Sequence, residues 1–275
     1  MEIWEAVLLG IVEGITEFLP ISSTGHLTIT EKLLGLPVDD PAITAFTAVI
    51  QVGAIAAVLV YFWRDIVRMA GAWFRGLFSA QARQEFDYKF GWYVIAGSIP
   101  IGIVGYAAQD IIKGPLRNLW WVAGSLILWS FAMLFAEHAA TQTRSERDLK
   151  LRDTVIIGIA QCLALVPGVS RSGATITVGL LRDIDRVTAT RLSFFLSIPA
   201  LTAAGIYELP DALSDSIGLA PLIVGTVVSF VVAYFAVAWL LRFVAHHTLA
   251  AFVWYRLAIG GILVLALSLG WIAAT

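Results

Sequence analysis

Six apolar runs of about 20 residues, at 43–63, 91–110, 119–137, 190–208, 217–241 and 250–273, recur along this chain of 275 residues. Each is long enough to cross a hydrocarbon layer roughly 30 Å thick as a helix. Inside lipid no water satisfies a backbone N–H or C=O, so a spanning segment must close its own hydrogen bonds. The composition points the same way, with 59% hydrophobic and 14% charged residues, far from a soluble domain. Trp63, Trp92, Trp120, Trp121 and Trp271 fall near segment ends, where interfacial anchors sit. The expectation is an all-α polytopic membrane protein.

Several classes are excluded at once. The first nine residues carry Glu2 and Glu5 and no basic residue, unlike the positive start of a cleavable signal, so the first helix is expected to be retained. Cys162 is the only cysteine, which rules out an intrachain disulfide and a thiolate metal site; it reads as a small buried residue. A net charge of −2 and the absence of a basic run point away from nucleic acid.

Two stretches interrupt this apolar pattern. Glu13-Gly-Ile-Thr-Glu17-Phe-Leu-Pro20-Ile-Ser22-Ser23-Thr24-Gly25-His26 is the first, and Pro167-Gly168-Val-Ser170-Arg171-Ser172-Gly173-Ala-Thr175 the second. The segments flanking them, 4–19 with 22–35 and 154–166 with 170–181, are too short to span comfortably. Each pair reads as a re-entrant hairpin of two half-helices, 4–35 and 154–181. A shift of 148 positions superposes Gly10 on Gly158, Ile11 on Ile159, Ser22 on Ser170, Gly25 on Gly173 and Phe46 on Phe194, with Glu13 on Gln161. A duplicated core is the expectation: a first repeat over 1–137, a linker 138–153 and a second repeat over 154–275, each one hairpin plus three spans.

Charge orients this arrangement. Loop 64–90 (Arg64, Arg68, Arg75, Arg83, Lys89), loop 138–153 (Arg144, Arg147, Lys150, Arg152), Arg182, Arg186 and Arg242 share one side. Asp39, Asp40, Glu208, Asp211 and Asp215 share the other, with Lys113 and Arg117 as exceptions. The basic side is cytoplasmic by the positive-inside rule, which puts both termini outside. Three spans after the first hairpin invert the second half, so the hairpin tips enter from opposite faces and meet near the midplane.

The breaks carry the chemistry, because ionisable groups at membrane depth are expensive and usually functional. Glu13 and Glu17, four apart and read as mid-helix, share a face. They cannot both ionise cheaply unless a divalent cation or an arginine neutralises the pair. Ser22, Ser23 and Thr24 open a helix after Pro20, where hydroxyls and free N–H groups either cap the helix or bind an anion. Gly25 lets a group approach the backbone closely, and His26 adds a proton-transfer group. Arg171, between Ser170 and Ser172 and near Thr175, suits phosphate; the competing reading is an ion pair with Glu13 or Glu17. His138, His246 and His247 read as solvated, and Asp183, Asp185 and Arg186 as ordinary loop charges.

Both motifs resemble the two signatures of the bacterial undecaprenyl pyrophosphate phosphatases, also called bacitracin-resistance proteins. The resemblance implies an inner-membrane hydrolase that removes the terminal phosphate of undecaprenyl pyrophosphate and recycles the lipid carrier of cell-wall synthesis. It further implies a divalent metal (Mg or Ca), a site open to the outer side, bacitracin resistance, and inverted repeats with re-entrant helices. Under it, Glu13 and Glu17 match the acidic pair handling metal or protons, Ser23 a proposed nucleophile and His26 an acid/base. Arg171 matches the phosphate-binding arginine, with Ser22, Thr24, Gly25, Ser170, Ser172 and Thr175 around the substrate. Membrane lipids and a prenyl pyrophosphate are the implied partners, and a homodimer is compatible. The competing class is a lipid-phosphate transporter or flippase on the same repeat. A scaffold would leave Arg171 unexplained.

Overall fold

A computed structural model describes residues 1–38, 40–113, 116, 118–214 and 217–274. Asp39, Arg117 and Asp215 of the charge argument lie outside the described residues, as do the side chains of Lys113, Glu208 and Asp211. The chain is helical throughout, with one isolated bridge between Arg144 and Ile184 among the described residues.

Six helices are long and apolar enough to cross a membrane: α3 (Pro41–Tyr61), α5 (Phe86–Ala107), α7 (Leu119–Ala139), α10 (Arg186–Ser214, by its portion Arg186–Tyr207), α11 (Leu219–His246) and α12 (Ala250–Ser268). They coincide with the six expected runs. Asp40 starts α3 by accepting the Ala42 amide at 2.8 Å, with Pro41 in the first turn, where its missing N–H is harmless.

Four shorter helices flank the two breaks: α1 (Ile3–Thr16), α2 (Ser23–Leu33), α8 (Leu151–Gln161) and α9 (Arg171–Leu181). At 1.5 Å per residue the longest reaches only about 21 Å. Pro20 has no N–H to donate back to the Thr16 carbonyl, and α1 ends at Thr16. Glu17 is therefore the C-cap residue, not a mid-helix one, which corrects the sequence reading.

Two of these short helices, α1 and α8, pack backbone against backbone on longer ones. A Cβ on Gly10 would meet the Gly225 carbonyl oxygen of α11 at 2.6 Å, and one on Gly158 would meet the Gly97 carbonyl oxygen of α5 at 2.0 Å. Gly10 and Gly158 are the same position under the 148-residue shift. The core includes an aromatic cluster in which Phe18 meets Phe194 edge-on at 5.3 Å and Phe195 packs on Phe62 and Phe90.

Two further readings change. The stretch 64–90 is not a plain loop: Trp63–Phe78 forms a helix, α4. Its helical spacing sorts Ile66, Met69, Ala72, Trp73 and Gly76 inward, while Trp63, Val67, Phe74 and Phe78 stay exposed, a pattern that the count of basic residues concealed. A short helix, α6 (Gln109–Lys113), follows α5. Asp183, Asp185 and Arg186 are likewise more than loop charges. Asp183 accepts the Thr141 amide and hydroxyl, hydrogen bonds that hold its carboxyl below the ordinary range. Asp185 caps α10 through Thr188 at 2.9 Å, and Arg186 pairs with Glu137. Nearby, buried Asp153 binds both Arg144 and Arg182, and Arg191 joins Asp65 to Glu146. Cys162 is only partly buried and sits in a 3-10 turn (Cys162–Leu165) closing α8.

Gly158→Ala is expected to force α8 off α5 and lower stability by about 2 kcal/mol, read as a drop in thermal midpoint in detergent. Gly102→Ala, with open space around its added Cβ, should be neutral or stabilising by up to about 1 kcal/mol. Equal behaviour of the two variants would remove the close backbone contact from this account.

Candidate active site at the junction of two helix breaks

Ser22 and Ser170 begin α2 and α9 in the same unusual way. Both have φ of +77°, a region sparsely populated by side-chain-bearing residues. Both accept the amide three residues on: Ser22 Oγ from Gly25 at 3.3 Å and Ser170 Oγ from Gly173 at 3.1 Å. These caps aim the next residues, Ser23 and Arg171, toward one place.

Glu17 lies at that place. Its Oε1 accepts from Arg171 Nη2 at 3.0 Å, across 154 residues of sequence. Its Oε2 accepts from Ser23 Oγ at 2.5 Å and from Gln51 Nε2 of α3 at 3.1 Å. The side chains of Glu17 and Arg171 keep only 3% and 8% of their exposure, so the pair is nearly desolvated. Arg171 Nη1 donates to the Ser193 carbonyl of α10 at 3.2 Å, while its buried Nε finds no partner. The ion pair predicted for Arg171 is formed, with Glu17.

Glu13, one turn before Glu17, is fully buried and neither carboxylate oxygen has a hydrogen-bond partner. Gln161, its counterpart under the repeat, is equally buried and unpartnered. Among the described residues, no three His, Cys, Asp or Glu side chains cluster as a metal group. Glu13 and Glu17 do provide hard carboxylate oxygens, the donor type that magnesium or calcium takes.

The remaining candidates divide into engaged and accessible groups. Ser22 Oγ also accepts the Gly168 amide of the second break at 3.1 Å. Ser172 Oγ donates to the Leu19 carbonyl of the first at 2.9 Å and lies 3.1 Å from Ser170 Oγ. Thr175 Oγ1 lies 2.8 Å from Ser193 Oγ. All four hydroxyls are buried, and those of Ser22 and Ser172 tie the breaks together. The close neighbour of Gly25 is Val122 of α7, 3.0 Å from where a Cβ would stand, so the space it saves goes to helix packing. Thr24 is exposed, and Ser23 and His26 are partly so. His26 does not touch Glu17; its Nδ1 lies 2.7 Å from the Ser22 carbonyl and its Nε2 2.8 Å from the Tyr255 hydroxyl. His138, His246 and His247 are exposed, as expected.

Sequence reasoning missed Gln51, Ser193, Tyr255 and Arg256. Arg256, on α12, is completely buried. Its Nη1 donates to the Pro20 carbonyl at 3.3 Å, its Nη2 to the Gly168 carbonyl at 2.9 Å and its Nε to Ser130 Oγ at 3.1 Å. One guanidinium thus holds a carbonyl from each break. A charge inside the predicted span 250–273 was a legible signal; its target was not.

Fold and site together define a polytopic helical membrane protein with a carboxylate, a hydroxyl and a guanidinium at the meeting of two broken helices. The chain belongs to the bacitracin resistance protein BacA family, whose profile matches residues 6–262. It is 58% identical over 270 residues to an undecaprenyl-diphosphatase of Acidothermus cellulolyticus, covering 98% of both chains. It is 56% identical over 278 residues to undecaprenyl-diphosphatase 3 of Frankia casuarinae, covering all of both. With undecaprenyl-diphosphatase 1 of Streptomyces avermitilis it shares 58% over 271 residues and 98% of each chain.

Arg256→Met would leave the Pro20 and Gly168 carbonyls without their donor in an apolar interior. We expect a loss of about 3 kcal/mol, seen in thermal unfolding in detergent. Arg256→Lys keeps the charge without the fork and should recover only part of it. An unchanged midpoint in Arg256→Met would mean the guanidinium is not holding the breaks.

Proposed function

We propose that the protein is an undecaprenyl-diphosphatase, hydrolysing undecaprenyl pyrophosphate to undecaprenyl phosphate and inorganic phosphate. The observation that carries this reading is the bridge Ser23–Glu17–Arg171 across the two breaks, and full-length similarity to proteins of that name supports it.

Glu17 is the base in this reading. Its 2.5 Å contact with Ser23 has the length of a charge-assisted hydrogen bond. It takes the Ser23 proton as Oγ attacks the terminal phosphorus. The phosphorus–bridging-oxygen bond breaks, undecaprenyl phosphate departs, and water then releases phosphate from the serine while Glu17 returns the proton to Oγ. His26 is the candidate to accept the proton of that water. Arg171 exchanges Glu17 for the phosphoryl oxygens, where its planar fork stabilises charge spread over the equatorial positions. The resting ion pair keeps this guanidinium compensated until the anion arrives.

Charge balance supports a divalent cation. Arg171 neutralises Glu17, so a diphosphate that takes over this guanidinium would leave Glu17 without a counter-charge. The unpartnered oxygens of Glu13 fit a cation, magnesium or calcium, which Glu13 and Glu17 would hold. When bound it would neutralise phosphate charge.

The protein would be a multi-pass plasma-membrane enzyme of two inverted halves, its basic face cytoplasmic and its site open to the outer side. The matched Ser22 and Ser170 caps and the matched seats of Gly10 and Gly158 support the duplicated core. Recycling of the carrier lipid would sustain cell-wall synthesis and, when the enzyme is abundant, bacitracin resistance.

Phosphate release from undecaprenyl pyrophosphate by purified protein in detergent is the direct test. Arg171→Ala and Glu17→Ala should each lower it by about 10²- to 10³-fold or more while the proteins still insert and fold; retained activity in either sinks the site assignment. EDTA should stop release and added magnesium or calcium restore it; release that survives chelation removes the metal. No release from folded wild-type protein would bring the transporter reading forward.

A further inference from the structure

Tyr255 lies outside both motifs, yet it forms the only side-chain hydrogen bond to the His26 imidazole found among the described residues. The two rings are nearly parallel, 9° apart in plane, with centroids 5.5 Å apart. The tyrosine is 41% exposed.

The hydrogen bonds assign the tautomer. A carbonyl oxygen only accepts, so the 2.7 Å contact between His26 Nδ1 and the Ser22 carbonyl requires the proton on Nδ1. In the neutral ring Nε2 then carries the lone pair, and at 2.8 Å the Tyr255 hydroxyl donates to it. A hydroxyl is both donor and acceptor. If Nε2 gains a proton, Tyr255 can rotate its O–H and accept from Nε2–H without moving either ring.

The residue after Tyr255 sets its register. Arg256 is buried and fixed by Pro20, Gly168 and Ser130. Rotation of α12 would break those bonds, so the same constraint that joins the two breaks also presents Tyr255 to His26.

We infer that Tyr255 is a positioning residue for His26: it holds the imidazole with Nε2 as its basic nitrogen through both protonation states. The inference rests on the phosphatase reading in which His26 handles a proton, but the tautomer can be measured without activity.

Two experiments test it. In protein labelled with ¹⁵N-histidine, only four histidines contribute, and His26→Ala identifies the His26 signals. Wild type should show Nδ1 protonated and Nε2 bare but hydrogen-bonded, and Tyr255→Phe should shift Nε2 toward an unbonded value. A protonated Nε2 in the neutral ring, or no shift in Tyr255→Phe, overturns the inference even if the enzyme is active. In phosphate release, Tyr255→Phe keeps the ring stack and should lower kcat by roughly 10-fold, the scale of one ordinary hydrogen bond, with KM within about 2-fold. In a His26→Ala background the same change should have no further effect. Additive losses, or wild-type kcat in Tyr255→Phe, also overturn it. Wild-type protein without phosphatase activity would defeat the functional reading and leave the NMR result to decide the contact.

Discussion

A carboxylate and a guanidinium 154 residues apart in sequence neutralise one another in a nearly dry interior, and the arrangement around them depends on that pair. Burying either Glu17 or Arg171 without the other would be costly. Together they require both helix breaks to arrive at one point, because Glu17 ends α1 and Arg171 begins α9. Ser22, Ser172 and Arg256 then meet the backbone polar groups that the breaks expose. Those contacts leave Ser23, Thr24 and His26 on the accessible side.

The same economy explains why so many hydroxyls in the motifs face inward. A broken helix in an apolar environment has amides and carbonyls without intrahelical partners. Serines and threonines are the smallest side chains that can reach them. Ser22, Ser170 and Ser172 do this, so much of the polar motif maintains the break. Glu17, Ser23 and Arg171 form the reacting set of the proposed mechanism.

The six long apolar helices, the four short helices and the position of each break were legible because each follows from local properties: apolar length, a proline, a run of hydroxyls. The end of α1 was legible in Pro20 but misread, since the missing donor acts four residues upstream, at Thr16. Helix α4 was hidden because its basic residues were counted while its helical spacing was not weighed. The clamps around Asp153 and Asp183 were beyond local reading, since each joins segments about 30 to 40 residues apart.

By itself, the sequence determined an all-helical membrane chain with two polar interruptions and the side chains that chemistry there would use. Its motifs also carried the family resemblance. Only the tertiary structure decided that Arg171 pairs with Glu17 while Glu13 stays unpartnered, and that α12 supplies Tyr255 and Arg256. The physical reason is range. Helix length and breakage are set by neighbours within about four residues, whereas a buried charge is compensated by whichever element packing brings within about 3 Å. No periodicity in the chain encodes that choice.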